Sequence, residues 1–301
     1  RQAVRALGQE LRLDKCKCFS HGVDLTTCES RPSCLPRGSF RGPGGHVGHG
    51  MAVCGVPVGD ATFVRAFLEG KVNDAMIKAN HVSRQLRDVH LHSLWSALSY
   101  CLQPTFHYWL QHCYPADSLL HATRLDQALL GIAQACIPGL TLDDALTAQR
   151  LRLPARMFGC GVRSLPGLAP AAFAATLCAT APCMIDRCNA RGMVDPGFLT
   201  PLTDVFGAGS FDDGLGTPRF HQFLQSGLPC ANAFEAAWSV LQTRVGEPMP
   251  GTVLAASASN AGENYGRIQN LLTRAVERAA FQHVDVTIRA LPHTDPRRAA
   301  W

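Results

Sequence analysis

The stretch ATFVRAFLEGKVNDAMIKANHVSRQL, Ala61 to Leu86, has no proline and repeats its apolar side chains at helical intervals. At 3.6 residues per turn, Phe63, Phe67, Val72, Met76, Ile77 and Val82 fall on roughly one face, with charges opposite. A helix this long must bury that stripe against something, which points to a helical bundle. Further helical patterns follow at about 91 to 102, 105 to 113, 117 to 136 and 141 to 150. The third of these opens at Asp117 and closes near Pro138 and Gly139. Residues 61–150 therefore read as one bundle. Beyond the Gly-containing turn LPARMFGCGVRS, a second helical region is expected at about 168 to 190, 220 to 226, 230 to 243 and 263 to 283. Loops rich in Gly, Pro and Asp, such as GAGSFDDGLGTP, lie between its helices.

Strand signals are confined to the start of the chain. Val4, Leu7 and Leu11 have helical spacing, and Leu11, Leu13 and Phe19 then alternate as a strand would. Residues 30–50, dense in Gly, Pro and Ser, read as a loop, and a second short apolar run, MAVCGVPVG, follows. The expected fold is mostly α, with a small N-terminal β-hairpin. Its expected divisions are residues 1–60, 61–150 and 151–301.

Composition narrows the function classes. With 301 residues, 47% of them hydrophobic and 17% charged, the chain can build a large core and about two domains. No run reaches the roughly 18 apolar residues of a membrane span, and the N-terminus lacks an apolar signal-peptide region. A soluble, intracellular protein, nuclear or cytoplasmic and without a membrane partner, is expected. The chain opens at Arg1 rather than at a methionine, which reads as a processed product or a fragment.

Thirteen cysteines, an odd number in a chain too long to need disulfide staples, fit buried thiols in a reducing compartment. Cys16, Cys18, His21, Cys28, Cys34, His46 and His49 crowd the first fifty residues. No Cys-x-x-Cys pair occurs, however, and the Cys183 and Cys188 pair is isolated, so no metal site is assigned. His90 with His92 and His107 with His112 lack a nucleophile pattern, which leaves a hydrolase reading without support. The net charge of +5 is unevenly placed: eight cations up to residue 42 face Glu10, Asp14, Asp24 and Glu29. Arginine outnumbers lysine 24 to 4, a bias suited to bidentate phosphate contacts.

Taken in order, the helix, the strand with LDKC, the loop, VCGVPVGD, the long helices and LPARMFGCGVRSL form a pattern. It resembles the downstream part of reverse transcriptases of the non-LTR retrotransposon type. Lys15 falls on that family's motif D lysine, with Arg12 where the family usually has Asn. Cys54, Gly55, Val56, Pro57, Val58 and Gly59 fall on its primer grip, with Cys54 in place of the usual Leu. Leu153, Pro154, Gly159, Gly161 and Val162 fall on its post-thumb segment, with Phe158 replacing the first Gly and Cys160 the Leu. The resemblance covers residues 1 to about 165.

It implies a palm remnant at the N-terminus, a helical thumb, and a helical C-terminal region of unknown role. The parent activity would be RNA-directed DNA polymerisation, using Mg2+ held by carboxylates that in this family lie upstream of motif D. No such carboxylate motif precedes Lys15 here, and SFDDG at Phe211, Asp212 and Asp213 reads as a solvated turn. No cofactor is therefore expected in this chain, which should be inactive alone. The implied partners are an RNA or DNA primer–template and the remainder of the palm and fingers domains. Lys15 would stand near the incoming triphosphate as an assisting catalytic cation. In the primer grip, Gly55 and Gly59 would allow close approach to the primer and Pro57 would stiffen the hairpin. Lys71, Lys78, Arg84 and Arg87 are the candidate backbone contacts of the thumb. The alternatives from other classes are a helical protein-interaction module and a degenerate retroelement remnant without activity.

Overall fold

The computed structural model describes residues 50–137, 139–140, 142–190, 229–245 and 261–299. Several expectations lie outside them: Lys15 and its strand, the zinc-like cluster from Cys16 to His49, the SFDDG turn and the helix at 220 to 226. The described part is mostly helical, with one two-stranded antiparallel hairpin near its start. It falls into two compact units divided between Lys71 and Val72.

In the first unit, β1 (Gly50–Val53) and β2 (Val56–Gly59) pair in the register Gly50 with Gly59, Met51 with Val58, Ala52 with Pro57 and Val53 with Val56. Two residues, Cys54 and Gly55, make the turn with φ of 50° and 83°. Positive φ at both central positions is the geometry whose twist matches that of a hairpin. The pairs alternate between hydrogen-bonded and non-hydrogen-bonded outward from the turn, which puts Pro57 at a site where its missing N–H costs no ladder bond. Pro57 and Gly50 are the buried residues of the hairpin. A side chain at Gly50 would overlap the Phe63 ring, so the glycine is what lets that ring close over the strand.

Helix α1 (Ala61–Leu86) is opened by Asp60, whose Oδ1 accepts from the Phe63 backbone N–H at 2.7 Å. Its buried line runs through Val64 and Leu68, then Val72 and Ala79, the last three of them fully buried. This line is rotated from the sequence expectation. Phe63 and Phe67 sit on its flank, and Ile77 is 67% exposed. Phe63 is committed to Gly50, and the Lys71 ammonium covers the Phe67 ring at 5.3 Å, so smaller residues take the centre of the stripe.

The second unit continues with α2 (Leu91–Ala97), a wide π turn (Leu98–Leu102), a 3-10 turn (Pro104–Phe106) and α3 (His107–His112). After these come α4 (Pro115–Cys136), α5 (Ala145–Arg152), a second 3-10 turn (Ala155–Met157) and α6 (Leu165–Ala190). Helices α7 (Pro229–Val245), α8 (Ala261–Arg289) and α9 (Pro296–Ala299) complete it. Helix α4 starts at Pro115, two residues before the expected Asp117. Proline's fixed φ suits the first helical position, and Asp117 lies in the first turn, where a carboxylate complements the helix dipole. Asp144 caps α5 by accepting from the Leu146 and Thr147 backbone N–H groups at 3.4 and 3.2 Å.

Helix α6 is the hub. Ala169, Ala171, Ala172, Ala174 and Ala175 are all buried and small enough for neighbours to approach from several sides, and α3, α4, α7 and α8 all pack on it. Pro170 within this helix cannot donate to the Pro166 carbonyl. Arg244 of α7 reaches that carbonyl at 3.5 Å and the Gly167 carbonyl at 2.7 Å. Phe106, Leu110, Leu125, Leu129, Leu165 and Leu241 are fully buried side chains, each worth roughly 1.5–3 kcal/mol of transfer free energy. A smaller cluster, Leu146, Leu153, Val284 and Ile288, fastens α5 to the second half of α8.

One buried carboxylate ties three helices together. Asp126 of α4 forms a bidentate pair with Arg152, the last residue of α5, at 3.0 and 2.6 Å, and accepts from the Leu165 backbone N–H, the first of α6, at 3.0 Å. Asp126 is 3% exposed. Removing it strands a partly buried guanidinium and a buried N–H. Asp126→Ala is therefore expected to lower the unfolding free energy by about 3 kcal/mol in urea titrations. A change under about 1 kcal/mol would mean the network is not needed to close this part of the fold.

Candidate nucleic-acid interface

The residues between α5 and α6 form a tight loop whose backbone needs special residues. The Gly161 N–H donates to the Leu153 carbonyl at 2.8 Å, and the Gly159 and Met157 N–H groups donate to the Pro154 carbonyl at 3.2 and 2.8 Å. A side chain at Gly159 would overlap the Leu153 carbonyl, and Gly161 has φ of 80°. Phe158, 68% exposed, takes φ of 58°, a left-handed conformation that costs a non-glycine residue roughly 1–2 kcal/mol. The spacing of Leu153, Pro154, Gly159 and Gly161 thus has a direct conformational cause.

Two polar side chains fasten this loop to the segment from α2 to the π turn. Trp95 Nε1 donates to the Cys160 carbonyl at 2.8 Å. The buried Gln103 clamps Arg163 in both directions: its amide N–H2 donates to the Arg163 carbonyl, and its Oε1 accepts from the Arg163 N–H at 3.2 Å. The wide turn at Leu98–Leu102 adds a residue to the helix, as such turns often do at functional sites. It leaves Tyr100 80% exposed while Leu98, Leu102 and Gln103 stay buried. On the other side, Arg156 and Arg163 both pair with Glu277 of α8, a carboxylate only 7% exposed, Arg163 at 3.1 Å.

The result is a groove of about 1090 Å³ between the loop and the α2 segment, with Trp95, Tyr100, His92, His107, Arg156 and Arg163 among its lining residues. No carboxylate is among its described lining residues. Aromatic faces beside guanidiniums that one carboxylate, Glu277, neutralises only in part offer what a single strand or a strand end needs: stacking for bases and cations for phosphates. His107 sits where the groove meets the core. Burial, reinforced by the Arg163 guanidinium, holds its pKa below the ordinary 6.5.

The other proposed contacts are more dispersed. The Cys54–Gly55 turn, Val56, Pro57 and Gly59 form the hairpin of the first unit, where Cys54 is exposed. Lys71, in the same unit, is engaged over Phe67. In the second unit, Lys78 and Arg84 lie six residues apart, about 120° around the helix, so they do not share a face. Arg84 Nε donates to the Asn80 carbonyl at 3.4 Å. Arg87 lies in the turn beyond Leu86 and pairs with Asp88 at 3.2 Å, an exposed contact of little energetic weight. Sequence reading missed Trp95, Tyr100, Arg156, Arg163 and Glu277. The only signal near them was the glycine spacing of the loop. Among the described residues no group of three or more His, Cys, Asp or Glu is placed to hold a metal ion. No described helix is long and apolar enough to cross a membrane.

No protein-family model, curated protein or solved structure matches the chain.

Two expectations follow from this geometry. Phe158→Gly relieves the left-handed strain and should raise stability by about 1 kcal/mol in urea titrations, whereas a loss would mean the ring's contacts outweigh the strain. His107 gives a pH dependence. Its folded pKa is depressed, so the unfolded chain takes up a proton that the folded chain refuses. This contribution to stability is present above pH 6.5 and is lost as the pH falls from there toward the folded value. Urea titrations at pH 7.5 and 5.5 should show lower stability at the acid value, with a smaller difference in His107→Gln; an equal pH dependence in both proteins would contradict it.

Proposed function

We propose that this chain is the thumb-side part of an RNA-directed DNA polymerase of the non-LTR retrotransposon type, and that its own role is to hold the primer–template. The observation that carries the reading is the backbone at the motif positions. Left-handed residues stand at Phe158, where the resembled family has glycine, and at Gly161, and Gly159 leaves no room for a side chain. The two-residue turn at Cys54 and Gly55 supports it from the hairpin, since its geometry suits the primer-grip role proposed for VCGVPVG. The groove supports it chemically. Arg156 and Arg163 are the phosphate-directed cations, and Tyr100 and Trp95 are the surfaces on which bases stack. The carboxylates for nucleotidyl transfer belong to another part of the polymerase, and this chain contributes binding alone.

The test is binding of the full chain to a fluorescent RNA–DNA primer–template across a salt series. Affinity is expected to fall linearly with salt in log–log form, with a slope set by the number of phosphates neutralised, and to vary little with duplex sequence. Tyr100→Ala, at an exposed position, should weaken binding to a primer–template with a single-stranded overhang about fivefold or more. A flat salt response, or no binding at low salt, would overturn the proposal in favour of a protein-interaction role.

A further inference from the structure

Beneath the groove lies a second, smaller cavity of about 280 Å³. It is walled by α3, the Arg156–Arg163 loop, α6 and α8, and it shares His107, Arg156 and Arg163 with the groove. Three features set it apart from ordinary packing space. First, it gathers unsatisfied polar atoms. Among the described residues, His107 Nε2 and Gln269 Oε1 are both buried without a hydrogen-bond partner, and both residues line it. The other end of the Gln269 amide donates to Thr273 Oγ1 at 3.1 Å, so whichever way that amide is turned one end stays unpaired. Second, its charge is unbalanced. Three guanidiniums, Arg156, Arg163 and Arg274, face one carboxylate, Glu277, and Arg274 has no ion-pair partner among the described residues. Third, Leu168 and Ala172 supply one apolar wall.

We infer that this cavity binds a single nucleotide unit. The excess guanidinium charge calls for an anion, and a phosphate meets the fork geometry of arginine. The amide of Gln269 and the imidazole of His107 can each act as donor or acceptor, by flipping or by tautomer change, and such groups suit the mixed edge of a nucleobase. The apolar wall suits its face. The size sets a limit: about 280 Å³ is the share of roughly nine liquid waters, room for the base or the phosphate of one nucleotide with the rest of the unit in the adjoining groove, and too little for a duplex. The shared residues place this cavity where a strand in the groove could turn one base inward. In that form the inference rests on the groove being a nucleic-acid site; a free mononucleotide would need no groove.

The experiment uses the full chain with AMP, GMP, CMP and UMP singly, with inorganic phosphate alone, and with short single-stranded RNAs of each base, read by calorimetry. Saturable binding of at least one mononucleotide, tighter than that of inorganic phosphate, is expected. So is a loss of about tenfold or more in Arg274→Gln and in Gln269→Leu. Arg274 is exposed and has no ion-pair partner among the described residues, so its variant keeps the assay informative if the Gln269 variant fails to fold. Base-dependent binding of strands that disappears in Gln269→Leu, without mononucleotide binding, would assign the unit to a strand rather than to the free ligand. Binding that is the same in the variants, or the same for inorganic phosphate, or absent for every ligand, would overturn the inference. Salt-dependent primer–template binding with no such effect would defeat the cavity reading alone and leave the groove reading intact.

Discussion

The Asp126 carboxylate holds both ends of the loop that carries Arg156 and Arg163. It grips Arg152 just before the loop and the Leu165 N–H just after it, so one buried group fixes where the loop leaves α5 and where α6 begins. A buried charge is tolerable only when its lone pairs are met, and here two guanidinium N–H groups and one backbone N–H meet them. Ser164 completes the junction: its Oγ accepts from the Gly167 N–H at 3.1 Å and caps α6. Loop and hub helix are therefore one construction.

From that junction the remaining contacts follow in sequence. With its ends fixed, the loop can fold back on itself only through left-handed residues and a glycine with no space beside it, which accounts for Phe158, Gly159 and Gly161. The folded loop offers its carbonyls to Trp95 and Gln103, and its two arginines to Glu277 of α8. Because Glu277 is buried, it orients both guanidiniums while neutralising only part of their charge. Groove and cavity thus share two held cations, and held cations lose less entropy on binding an anion than mobile ones do.

Parts of this were legible in the sequence and parts were not, for physical reasons. The long helix at 61–86 announced itself by period, whereas the hairpin read only as one short apolar run, MAVCGVPVG, and was expected as a hairpin through the resemblance of VCGVPVG to a primer grip. The loop was legible as glycine spacing, and Phe158 as a departure from a glycine pattern, because backbone conformation is a local property. The rotation of the α1 stripe was not legible, since Gly50 decides it by accepting the Phe63 ring. Nor was the role of Asp126, whose partners lie 26 and 39 residues away. Glu277 is 121 residues from Arg156, and helical period marks it only as one more position on a helix. Residues that meet through the tertiary fold leave no spacing to read.

The central claim is that nucleic acid lies in the groove between the α2 segment and this loop. Ultraviolet crosslinking of the full chain to a primer–template with a single-stranded overhang, followed by peptide mass spectrometry, tests it most directly. The claim predicts crosslinks at Tyr100 or Trp95, competed away by unlabelled nucleic acid and weakened by salt. Crosslinks confined to other surfaces, or none above the level given by denatured protein, would contradict it.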